Sequence, residues 1–91
     1  MDIGDLGFSQ NIIDGYIFRT FPSDIEEDKL YWHKDEENRI LYVVDGIGWK
    51  LQMDDELPIS LVKNGIYSVP KETFHRLHKG KTSLVLKIKE F

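Results

Sequence analysis

Apolar and polar residues alternate along most of this chain with a period of two, the signature of strands with one face turned inward. Tyr16-Ile-Phe-Arg-Thr-Phe21 is aromatic and β-branched, follows an Asp14-Gly15 turn signal, and reads as a strand closed by Pro22. Trp49, Leu51 and Met53 share one face of a strand over 49–53. Residues 57–61 keep apolar side chains on the odd positions, but Pro58 removes a ladder hydrogen bond, which predicts an edge or irregular strand. Asn64-Gly65 predicts a hairpin into a short strand over 66–69, ended by Pro70. Strands over 73–77 and 83–88 complete the set, the last with Leu84, Leu86 and Ile88 on one face. Residues 23–29 fit either one helical turn capped by Ser23 or an acidic loop. Residues 1–11 read as an irregular lead-in whose Leu6 and Phe8 tuck into the body.

The stretch 30–46 is organised differently. Tyr31, His33 and Asp35 alternate, so an extended chain projects all three to one side. A charged turn follows over 34–39, and a second strand, 40–44, ends at Asp45-Gly46. A histidine and a carboxylate two residues apart on one strand can both reach one cation or one substrate. The strand 40–44 is apolar on both faces, which calls for cover on both sides and predicts a homodimer. With about eight short strands and turn signals every 8–12 residues, the chain reads as an all-β sandwich or barrel.

Composition narrows the picture. Ninety-one residues make one domain, 1–91, with a modest core. A net charge of −4, from 12 basic and 16 acidic side chains, argues against a nucleic-acid surface. Lys79, Lys81, Lys87 and Lys89 read as a solvated sheet edge. The absence of cysteine excludes a disulfide scaffold and thiolate metal ligands, and fits a reducing compartment. The acidic N-terminus lacks a hydrophobic run and no segment is apolar for long enough to span a membrane, so a cytoplasmic location without membrane contact is expected. There is no glycine-rich phosphate loop, and no serine sits in a nucleophile-elbow context.

The residues now in hand resemble the cupin superfamily. Its first motif runs histidine, any residue, histidine, three or four residues, glutamate, six residues, glycine; here His33, Asp35, Arg39 and Gly46 stand at those positions. Its second motif, proline, any residue, glycine, two residues, histidine, falls on Pro70, Glu72 and His75. The match covers about residues 30–78. The departures are Asp35 for the second histidine, Arg39 for the glutamate and Glu72 for a glycine. The resemblance implies a double-stranded β-helix, or small jelly-roll barrel, with a pocket at its mouth, a divalent metal (Fe, Mn, Zn or Ni) in many members, and frequent dimers.

Carried onto this chain, the resemblance implies a ligand set of His33, Asp35 and His75. Two imidazoles and a carboxylate make the facial triad of non-haem iron enzymes, with positions open for oxygen or substrate. Arg39 bears on this in two ways. An inward guanidinium repels a metal and pairs with Asp35, leaving a non-catalytic binding module with a decayed metal site. Alternatively, Arg39 anchors a carboxylate or phosphate, with His33 and His75 as acid and base, as in metal-free sugar-nucleotide isomerases and epimerases of this fold. The 2-oxoglutarate oxygenases share the barrel, but the arginine they need after the last histidine is missing. Tyr31 shares the face of His33 and lines the pocket as a second substrate contact. His78, Glu36 and Glu37 read as surface groups, and Trp32 and Trp49 as packing residues. The expected function is a small cup that holds a divalent metal, a small anionic molecule, or both.

Overall fold

The period-two pattern produces eight strands in the computed structural model, which describes residues 6–91. They are β1 (Ser9–Ile13), β2 (Tyr16–Phe21), β3 (Arg39–Asp45), β4 (Lys50–Met53), β5 (Ile59–Ser60), β6 (Ile66–Val69), β7 (His75–His78) and β8 (Leu84–Glu90). A five-stranded sheet runs β1-β2-β8-β3-β6 and a three-stranded sheet runs β5-β4-β7. All pairings are antiparallel. The two sheets close on each other as the all-β jelly roll expected of the cupin fold. Among the described residues no helix is long and apolar enough to cross a membrane.

Alternation places the core. Leu41 and Val43 of β3, Leu84, Leu86 and Ile88 of β8, Leu51 of β4 and Val69 of β6 turn inward and pack with Trp49, Phe21 and Leu61. Trp49 is 1% exposed, and its indole Nε1 donates to the Thr82 carbonyl at 2.7 Å, so the ring is buried without an unpaired donor.

Several local expectations change. The predicted lead-in is a strand: β1 pairs with β2 around Asp14-Gly15, whose φ values of +51° and +83° suit a tight hairpin turn. Met1–Asp5 of that lead-in lie outside the described residues. The stretch 23–29 holds one short 3-10 turn, Glu27–Lys29, with Glu26 rather than Ser23 at its start and no side-chain cap. Asn64-Gly65 does not close a hairpin. It lies between β5 in the small sheet and β6 in the large one, so the turn, with Asn64 at φ +68°, carries the chain across the barrel. Residues 30–35 are likewise not a strand paired with β3; only His33 forms a bridge, and to the other sheet. Lys87 and Lys89 belong to β8, a central strand, and lie on its outer face over the Tyr16 ring at 4.1 and 5.2 Å.

The connection from β3 to β4 rests on a close approach. Lys81 N–H donates to the Ile47 carbonyl at 2.8 Å, and Gly80 packs against Ile47 and Trp49 with no room for a Cβ, which would overlap the Ile47 carbonyl and the Trp49 backbone nitrogen. Neither is the end of a flexible side chain. Gly80→Ala is expected to cost about 3 kcal/mol, read as a lowered urea midpoint at unchanged m.

Candidate functional site

The site grows from a backbone pair. His33 N–H donates to the His75 carbonyl at 3.0 Å and His75 N–H returns the bond to the His33 carbonyl at 2.8 Å. Residues directly opposite in an antiparallel pair project to the same side, so the two imidazoles meet with ring centroids 4.3 Å apart. Asp35, two residues along, keeps to that side. Its carbonyl accepts from Glu72 N–H at 2.7 Å, which ties the chain after His33 to the turn before β7. Glu72 adopts φ +58° in that turn, the left-handed conformation that suits the glycine expected there. His33, Asp35 and His75 thus converge, with one ligand atom from each within 4.8 Å of the others.

Hydrogen bonds decide which atoms face the centre. Nδ1 of His75 lies 2.8 Å from the Thr73 carbonyl, and Nδ1 of His33 lies 3.1 Å from the Tyr31 carbonyl. A carbonyl only accepts, so both Nδ1 atoms carry a proton, and in the neutral ring it is Nε2 that presents the lone pair. This is how metal-binding histidines are held. His75 is 6% exposed, and burial pushes its pKa below 6.5; the Thr73 carbonyl opposes this, and the His33 ring adds to it. The neutral imidazole is therefore the form present at pH 7.

Asp35 makes this arrangement conspicuous. Its Oδ2 lies 3.3 Å from His75 Nε2 and 3.2 Å from Arg39 Nη1, yet no donor hydrogen is aimed at it, and it is a buried oxygen without a hydrogen bond. A lone pair on Nε2 thus faces a carboxylate oxygen, an arrangement that needs a cation or a proton between the two.

Arg39 begins β3 opposite Glu90 of β8, and this register sets its bonding. Its Nε and Nη2 both reach Glu90 Oε2, at 2.9 and 2.7 Å. Asp35 is its second, more distant partner. Tyr31 is 58% exposed, edge-on to His33 at 6.1 Å, on the rim of a cavity of about 190 Å³ that opens onto His33, Asp35 and Arg39.

Two features of the site were not singled out from sequence. Glu90 steers Arg39, and Arg19 of β2 points into the same cavity. The signal for Arg19 was present: it occupies the inward period-two position between Ile17 and Phe21, where a charge is unusual. His78 is less free than a surface histidine, since its Nε2 lies 2.8 Å from Gln52 Oε1. Trp32 carries the Arg76 guanidinium 4.7 Å from its ring centre, and Glu36 and Glu37 are exposed.

The pKa of His75 yields a stability prediction. Unfolded, the ring titrates near 6.5, and folded it titrates lower. The unfolded chain takes up the proton first, so the metal-free protein is expected to lose stability as pH falls from about 6.5 toward the folded value. His78, lowered by burial and then by Arg76 and Lys50, acts in the same direction. Urea unfolding between pH 5 and 8 should give a shallower slope for His75→Asn than for the wild type; identical slopes would show that His75 is not the coupled group.

No protein-family model matches the chain, and no curated protein matches its sequence. Solved structures do. KdgF from Halomonas sp. aligns with a TM-score of 0.71 at 20% identity, over 92% of this chain and 80% of that one. A cupin domain from Bordetella pertussis aligns at 0.65 and 16% identity, over 93% and 94%. The DMSP lyase DddQ from Ruegeria pomeroyi aligns at 0.73 and 13% identity, over 89% of this chain but only 45% of that protein. The expected barrel is thus matched by cupin structures along nearly the whole chain, and this protein has the fold of the cupin superfamily.

Proposed function

We propose that the chain binds a divalent metal through His33 Nε2, His75 Nε2 and Asp35, and receives a small organic ligand in the cavity above it. The observation that carries this reading is the buried Asp35 Oδ2, which lacks a hydrogen bond and faces an unprotonated Nε2 at 3.3 Å. A cation between them removes that conflict. When bound, such an ion supplies Lewis-acid or redox chemistry of the kind used by oxygenases and isomerases. The chain's own residues do the rest. The Thr73 and Tyr31 carbonyls fix the imidazole tautomers. Glu90 draws the Arg39 guanidinium toward β8, which limits its repulsion of the metal. Phe8, Leu30 and Leu77 line the cavity and reduce its contact with water. DddQ, named as a lyase, supports an enzymatic use of such a cup.

The 3.2 Å approach of Arg39 to Asp35 favours a second reading, a non-catalytic binding module in which that ion pair replaces the metal. Elemental analysis after expression without added metal, followed by thermal shift with Fe²⁺, Mn²⁺, Zn²⁺ and Ni²⁺, separates the two. Under the metal reading, an ion at about a hundred times its Kd stabilises the protein by about 2.7 kcal/mol. His33→Ala and His75→Ala should abolish that gain, and Glu90→Gln should weaken affinity roughly tenfold by releasing Arg39 toward Asp35. No bound ion and no thermal gain with any of the four metals would leave the ion-pair module standing.

We also propose a homodimer through the outer face of the large sheet. Ile40, Tyr42 and Val44 of β3 point outward, and neighbouring Ile66 of β6 is 65% exposed. Light scattering at micromolar concentration is expected to give twice the chain mass, and Ile66→Glu to halve it. A wild-type monomer under these conditions would remove the proposal.

A further inference from the structure

Arg19 is a half-buried cation whose side-chain hydrogen bonds go to a neutral group. Its Nε and Nη2 both donate to the neutral amide oxygen of Gln10, at 2.9 and 2.8 Å, and its guanidinium stacks over the Phe8 ring at 4.2 Å. Among the described residues no carboxylate lies within ion-pair distance of it. Burial, and then the nearby Arg39 charge, push its pKa down to about 10, still fully protonated at pH 7 but held at a cost that Asp35 and Glu90 only partly offset. Arg39 is different, because Glu90 and Asp35 already flank it. The same cavity of about 190 Å³ is lined by Arg19 together with His33 and Asp35.

We propose that Arg19 anchors the carboxylate of a small monocarboxylate ligand whose short apolar body lies along Phe8, Leu30 and Leu77. Three of the five guanidinium protons remain after the two bonds to Gln10, and the Nη1–Nη2 end presents two of them side by side, the spacing of a carboxylate's two oxygens. A carboxylate fills that fork with both of its oxygens, whereas a phosphate brings further oxygens that need donors of their own. Charge points the same way. Arg19, Lys29 and Arg39 line the cavity with Asp35 as the one lining carboxylate among the described residues, so its walls carry surplus positive charge that an anion neutralises. The inference rests on the metal-site reading only for where the ligand's far end lies; the anchor itself belongs to the metal-free chain.

The test therefore uses the metal-free protein, with pentanoate as probe, pentanamide as its uncharged match, and inorganic phosphate as the competing anion. The side-chain Nε–H signal of Arg19, followed by nitrogen–proton NMR, is expected to shift saturably with pentanoate and to stay in place with pentanamide. Arg19→Met keeps the stacked aliphatic stem but removes the charge, and binding followed at the Leu30 and Leu77 amides should weaken roughly ten- to a hundredfold. Gln10→Glu leaves Arg19 in place but gives it an internal anion, and should weaken pentanoate comparably while raising the melting temperature. Equal response to pentanamide, tighter binding of phosphate than of pentanoate, or undiminished affinity in Gln10→Glu overturns the assignment. His33→Ala, expected to lose metal and retain pentanoate, keeps a failure of the metal site distinguishable from a failure of the anchor.

Discussion

Two reciprocal backbone hydrogen bonds between His33 and His75 hold the site together. They make an isolated bridge, one residue pair long, between a connecting segment and β7. Everything chemical follows from it. Direct opposition in an antiparallel pair puts the two rings on one side, 4.3 Å apart, and the alternation along the segment adds Asp35 to the same side. A shift of one residue in this pairing would turn the side chains to the opposite face. The register is held from outside the pair. Glu72 N–H bonds the Asp35 carbonyl, Lys71 N–H bonds the Asn38 side chain, and Asn38 exchanges two backbone bonds with Phe91 beyond β8. A segment with little strand structure of its own is therefore positioned as firmly as a strand.

The polar groups over this frame are arranged in opposition. Neutral His75 turns a lone pair toward Asp35, and Arg39, the group that would most simply satisfy Asp35, is drawn by two bonds to Glu90. A buried carboxylate oxygen without a donor costs stability unless something else compensates it. Such conflicts persist where function requires them, and a cation-binding cup is a case in which the missing partner is the ligand. Arg19 shows the opposite sign, a half-buried cation held by a neutral amide.

Much of this was legible in the linear order of residues. The inward sets Leu84-Leu86-Ile88 and Trp49-Leu51 follow from period two alone, as does the short edge strand after Pro58. His33, Asp35 and His75 were found through spacing that resembles a family pattern, and they do converge. Less visible were the roles of residues whose partners are distant in sequence. Arg39 does pair with Asp35, four positions away, but its shorter bonds go to Glu90, which β8 brings against it from fifty-one positions away. Asn64-Gly65 carries the signal of a hairpin, but the strands on either side belong to different sheets.

The sequence by itself determined which residues turn inward and where the chain bends, because alternation and turn chemistry act over a few neighbouring residues. It also determined the types of ligand atom on offer. Tertiary structure alone decided which strands lie side by side, and with that the tautomer of each imidazole, the partner of Arg39, and the isolation of the Arg19 charge. Those properties depend on what stands opposite a side chain across a sheet, and antiparallel pairing joins residues whose separation along the chain has no fixed value.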